Sequence, residues 1–265
     1  KEKKQEEEIP KKKRKETDNK ITYGRAPKVQ KAQPTGTVPQ SRLRIKWGRH
    51  GLARFLSHLD NMKAMERALR RANLPLSFSQ GFRPKPKFSY GPPLTLGFTS
   101  EAEYFDIQLD VPVHEYMINK LSRNFPPGFD LLGTKPLLGK TQSLASQLNL
   151  AVYEVDLPLE FEKVNEICSQ IMEADELNFQ RETKSGPVDV EGRKAIIDLS
   201  SEKTAEGGTR LTMQTGMADL GFIKPLELLE HGFKIDQDIL PALEIHRKAL
   251  YRFESGSHID PFDMI

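Results

Sequence analysis

Periodic apolar positions begin only at Arg42. In RLRIKWG, Leu43, Ile45 and Trp47 alternate with Arg42, Arg44 and Lys46, which predicts a half-buried strand with a basic outer face. SHLDNMKAMERALRRANL follows, with Leu59, Met62, Ala64 or Met65, and Leu69 at helical spacing. A helix over 58–72 is expected, started by Ser57 with Asp60 three residues on, and presenting Lys63, Arg67, Arg70 and Arg71 outward. LPLSF reads as a short strand. SQGFRPKPKFSYGPPLTLG reads as a Gly/Pro-punctuated loop around a strand near Lys87–Tyr90. EYFDIQLDV alternates cleanly, VHEYMINKLSRNFPPG is a helix with a Pro-Pro stop, and FDLLGTKPL is a strand.

The second half repeats the order. LNLAVYEVDLPL predicts a strand and FEKVNEICSQIMEA a helix with Val164, Ile167, Cys168 and Ile171 on one face. LNFQRET, RKAIIDLS and TRLTMQTG predict strands, the last two paired across the GG turn, and PLELLEHG a short helix. EIHRKALYRF fits a helix or a strand. The expected fold class is α+β: two ferredoxin-like (βαββαβ) halves, 41–140 and 145–255, with a tail over 256–265. Residues 1–40 mix charge with Pro, Gly and Thr. They cannot bury enough apolar area to offset chain entropy, so a disordered basic linker is expected there.

Charge sharpens this picture. The net charge of +3 hides a gradient: residues 1–46 hold 15 Lys/Arg against 6 Asp/Glu, 47–100 hold 9 against 2, and 101–265 hold 16 against 29. An anionic partner is expected at the N-terminal end. The chain opens on Lys1, which suggests a start inside a longer polypeptide. No run of about 18 apolar residues predicts a membrane span. The single cysteine, Cys168, fits a core position in a reducing, cytoplasmic setting, and one cysteine cannot hold an iron–sulfur cluster.

The chemistry concentrates between Arg49 and Gly97. Arg83, Lys85 and Lys87 interleave with Phe82, Phe88 and Tyr90, a pattern suited to single-stranded RNA, where cations meet phosphates and rings stack on bases. The expected anion-binding set is Arg49, Arg54, Lys63, Arg67, Arg70, Arg71, Arg83, Lys85 and Lys87. Gly81, Phe82, Phe88 and Tyr90 are expected to shape a pocket. His50 and His58, with Asp60 and Tyr90 as helpers, form the weaker candidate for acid–base cleavage of RNA. No spacing supports a metal site on His58, Asp60 and His246. No phosphate-binding glycine motif or nucleophile elbow is present.

The segment FLSHLDNMKAMERALRRANLPLSFSQGFRPKPKFSYGPPLTLGFTSEAEYFDIQL resembles the radical-SAM-linked domain of unknown function. ITYGRAPKVQ is similar to the join in fused members of that family, and EIHRKALY to its C-terminal motif. The family occurs alone or behind a cobalamin-binding radical SAM protein. The resemblance therefore implies an accessory domain that presents a substrate to a parent enzyme carrying an iron–sulfur cluster, S-adenosylmethionine and cobalamin. The partner it implies is that radical SAM domain; joined to the basic, aromatic-interleaved segment, the favoured reading is RNA modification, with a tRNA, rRNA or ribosomal component as the second partner. A metal-independent endoribonuclease and a purely structural domain are the alternatives. Repeat-processing CRISPR endoribonucleases offer the first only a fold-level analogy.

Overall fold

The computed structural model describes residues 41–138, 142–205 and 207–264. The linker expected over 1–40, with the join-like ITYGRAPKVQ, lies outside the described residues. Strand β1 (Ser41–Arg49) buries Leu43, Ile45 and Trp47. A 3-10 turn over Gly51–Phe55 leads to helix α1 (His58–Arg71), where the Ser57 hydroxyl accepts from the Asp60 backbone N–H. Met65, Ala68 and Leu69 seal α1 onto the sheet. Then come β2 (Phe88–Tyr90), β3 (Thr99–Leu109), α2 (Glu115–Ser122) and β4 (Phe129–Leu137). LPLSF makes only isolated bridges, Leu76 to Leu109 and Phe78 to Pro86, because prolines interrupt its ladder.

A short helix α3 (Leu144–Gln147) precedes β5 (Leu150–Leu157) and α4 (Phe161–Glu173). The hairpin β6 (Asn178–Thr183) and β7 (Gly186–Glu191) stands as a separate two-stranded sheet. The chain continues through β8 (Ile196–Lys203), β9 (Thr209–Gly216), α5 (Pro225–Glu227), β10 (His246–Glu254) and β11 (Ser257–Ile259). EIHRKALYRF is thus strand: β10 pairs with β5 on one side and β3 on the other.

The result is a mixed α+β protein with one nine-stranded sheet. Its order is β4-β1-β3-β10-β5-β9-β8, with β2 also on β3 and β11 on β10. The neighbours are antiparallel except β3 and β10, which run parallel over Thr99–His246 and Ser100–Arg247. The two halves therefore share a sheet, each with its own apolar core. Among the described residues no helix is long and apolar enough to cross a membrane.

The basic outer face expected for β1 is not solvated. The Arg44 guanidinium is fully buried and grips Asp106 bidentately at 2.8 and 2.9 Å. It also donates to the Pro261 carbonyl, while the Phe262 ring meets Tyr104 edge-on. Lys46 lies 5.9 Å from the Tyr104 ring centroid. The C-terminal residues cover this face, and sequence separation hid them from the local pattern.

Cys168 is core, as its helical position implies, and burial pushes its thiol up to about 11. A folded-state value above the unfolded one means that any stability from this group is complete below the unfolded thiol's range. It is lost as pH rises toward the folded value. An aromatic disulfide reagent at pH 8 should label Cys168 slowly in the native chain and at once in denaturant. Fast native labelling would contradict its burial.

Candidate nucleic-acid interface

The loop between α1 and β2 is closed by its own backbone. The Ser79 N–H donates to the Lys85 carbonyl at 2.8 Å, the Lys85 N–H to the Ser79 hydroxyl at 3.0 Å, and the Lys87 N–H to the Ser77 carbonyl at 2.9 Å. These bonds hold the tip outward, where Phe82 is 101% exposed. Arg83 and Lys85 follow it in sequence, exposed and without an ion pair or side-chain hydrogen bond among the described residues. Arg70 sits 5.4 Å from the Phe78 ring centroid, tying α1 to the base of the loop, and Arg67 lies one turn earlier, exposed.

The other expected cations are committed elsewhere. Arg49 is buried and donates to the carbonyls of Leu56, Thr95 and Phe98 at 2.9–3.3 Å, so it is a clamp inside the fold, not a surface cation. Burial lowers its pKa; nearby Glu103 opposes the shift and Arg247 adds to it. Arg54 pairs with Glu244, Lys63 with Asp60 and Arg70 with Glu66, while Arg71 donates to the Asn124 carbonyl. Lys87 lines a different cleft of about 220 Å³ with Arg42, Ser89, Asp106 and Gln108. The exposed cations next to Phe82 in the loop are therefore Arg83 and Lys85.

Of the residues expected to shape a pocket, Gly81 and Phe82 are exposed at the loop tip. Phe88 and Tyr90 are half-buried, with ring centroids 5.7 Å apart and 6.5 and 5.8 Å from Phe105. Burial raises the Tyr90 hydroxyl above its ordinary range. Phe88→Ala should lower stability by roughly 2–3 kcal/mol, less than the about 3–5 kcal/mol of a wholly buried ring. Urea midpoints check this; an unchanged midpoint would mean that the ring is not core.

Tyr90 also borders a small cleft with Trp47, His58, Asn61, Pro92 and Glu103, with room for about 10 Å³, about one water molecule. Two buried polar atoms on its lining residues, Trp47 Nε1 and Asn61 Oδ1, have no hydrogen-bond partner among the described residues. His58 meets Tyr90 edge-on at 6.0 Å, whereas His50 Nδ1 lies 3.0 Å from Asp130 Oδ2. The two histidines are thus committed to different neighbours. Asp60 is held by Ser57 and then Lys63, which keep its carboxyl below the usual range. His246 bonds Thr99 and lies near Glu101. Among the described residues no three His, Cys, Asp or Glu side chains converge as a metal set.

One surface was missed entirely. Leu52, Phe55, Leu56 and Leu59 recur at i, i+3, i+4 and i+7, the signature of a buried stripe, yet they are exposed together with Leu96. Arg49 fixes the turn beneath them through Leu56 and Thr95. Gly128, at φ +81°, closes on it: an added Cβ would lie 2.8 Å from Ala53 Cβ. Nothing in the local pattern distinguishes this ridge from core.

Fold and surface together define a mixed α+β protein with a closed cationic loop and an apolar ridge. The chain belongs to the family described as "Uncharacterized protein conserved in bacteria (DUF2344)", whose model matches residues 42–225. No curated protein matches it. Among solved structures, similarity extends to a protein assigned as a glycine cleavage system transcriptional repressor, at 10% identity and a TM-score of 0.21, over 78% of this chain and 98% of that one. A dye-decolorizing protein from V. cholerae aligns at 9% identity and a TM-score of 0.19, over 79% and 91%. Overlaps that loose carry no functional argument.

Proposed function

We propose that this chain is a non-catalytic, cytoplasmic accessory module that presents RNA, or an RNA-bearing ribosomal component, to a radical SAM enzyme. The observation that carries the RNA part is the loop tip: a wholly exposed Phe82, followed by Arg83 and Lys85, which have no ion pair among the described residues, on a backbone-closed loop. An exposed aromatic ring next to exposed cations is what a single strand recognises. The apolar ridge from Leu52 to Leu59 supports a protein partner, because clustered exposed leucines on a clamped turn favour another apolar surface. The cluster, S-adenosylmethionine and cobalamin would belong to that partner.

The strand order supports the finer fold reading. Order β4-β1-β3 with β2 beyond, and β10-β5-β9-β8, is in each half the arrangement of a split βαβ unit, with the β6–β7 hairpin inserted in the second. The test is a titration of single-stranded RNA against salt. Log affinity should fall linearly with log salt, at about −0.7 per phosphate contacted. Affinity no better than for an acidic polypeptide of matched charge would sink the RNA reading.

A further inference from the structure

A cavity of about 440 Å³ opens in the second half between α4 and the turn after α5, built from residues the RNA reading does not use. Its floor follows from helix spacing: Ile167 and Ile171 stand one turn apart on α4, with Leu177 beyond. Its far wall is a π-helical turn over Leu228–Gly232, in which the Phe233 N–H reaches back five residues to the Leu228 carbonyl at 3.2 Å. Such wide turns are rare and occur often at functional sites. Gly232 permits this one to close on α4, since an added Cβ would lie 2.9 Å from Leu228 Cδ1 and 3.0 Å from Ile171 Cδ1. His231 lines the wall, its ring stacked on Phe179 at 4.4 Å and 17°.

The rim has the opposite sign to its surroundings. Residues 101–265 carry 29 acidic against 16 basic side chains, yet the cavity lining gathers Lys163 and Lys234 against Glu176, with His231 3.7 Å from Glu230. Neither lysine is in an ion pair or hydrogen-bonded through its side chain among the described residues. An apolar floor of this size, inside the roughly 300–1,000 Å³ range of small-molecule sites, with a few convergent cations, fits a ligand of mixed character. We propose that this cavity binds a small organic anion, its ring or short acyl body on Ile167, Ile171 and Leu177 and its single acidic group held by Lys163 and Lys234. Glu176 on the same rim disfavours a second negative charge.

The probe is anilinonaphthalene sulfonate, titrated by fluorescence into the full chain. The expected result is saturable one-site binding, displaced by decanoate but not by inorganic phosphate, which lacks the apolar body. Lys163→Glu and Lys234→Glu should each weaken binding about tenfold or more, the scale of a lost charge-assisted contact. Ala174→Trp, which adds bulk at the cavity lining, should block it. Thermal melts of all three variants should stay at the wild-type value, since each site is exposed. Absence of saturation, equal displacement by phosphate, or wild-type affinity in the variants would overturn the proposal. The last outcome would place the probe elsewhere, for example on the leucine ridge.

Discussion

Replacing Glu103 by alanine should destabilise the folded chain by roughly 3–5 kcal/mol, the scale of removing one partner from a buried ion pair. Glu103 is only 7% exposed and accepts from the fully buried Arg247 at Nε, 3.0 Å, and again at a second guanidinium nitrogen. Arg247 also donates to the carbonyls of Pro92 and Pro93. Arg49, buried too, feels the same carboxylate. Without Glu103, two guanidinium charges would remain inside with only neutral partners, backbone carbonyls and the Tyr153 hydroxyl. The site also joins the halves, because Arg247 sits where β10 meets β3. The paired change Glu103→Leu with Arg247→Met should recover part of the loss, since both charges then leave together. Glu101→Ala is the control: its contact with Lys248 is half exposed and worth about 0–1 kcal/mol. Urea unfolding midpoints decide, and a Glu103→Ala loss below about 1 kcal/mol would contradict a buried-charge role.

Phe82→Ala should weaken single-stranded RNA binding by roughly 1–3 kcal/mol at every salt concentration, the scale of one lost base stack. Its stability should not change, because the wholly exposed ring contributes no buried area. The double change Arg83→Ala with Lys85→Ala should instead flatten the salt slope by about one unit or slightly more, at about −0.7 per phosphate. Tight binding with an unaltered slope in the double variant would remove the loop from the interface. Phe88 and Arg49 are poor probes of the same question. The first packs on Phe105 and the second clamps three carbonyls, so their variants would confuse unfolding with lost contact.

Cytoplasmic RNA work beside a radical SAM partner rests on resemblance together with the loop chemistry. The DUF2344 match establishes the family alone. The salt titrations decide the RNA half of the proposal.

The extent of what was legible follows from the range of the forces involved. Alternation in RLRIKWG and EYFDIQLDV, the helical period of α1 and α4, the Ser57 cap and the β8–β9 hairpin are local matters, and the structure forms all of them. Periodicity could not resolve EIHRKALYRF, because a register shift between Arg247 and Ala249 breaks its alternation and leaves the buried Arg247 and Leu250 three residues apart, a spacing that fits a helix as well as a strand. Its pairing with β3 and β5 joins residues about 100–150 positions apart in sequence.

Charge was legible as composition but not as geometry. The sequence by itself determined that cations crowd residues 47–100 and that the chain from Arg42 onward is α+β. Only the tertiary structure decided which cations meet solvent. Arg44, Arg49 and Arg247 went inside because partners distant in sequence, Asp106, Glu103 and several backbone carbonyls, were there to satisfy them; a guanidinium enters a low-dielectric interior only on that condition. It decided the reverse for Leu52, Phe55 and Leu59, whose helical spacing implies burial. No element of the described chain packs over them, and periodicity marks a face without specifying what covers it.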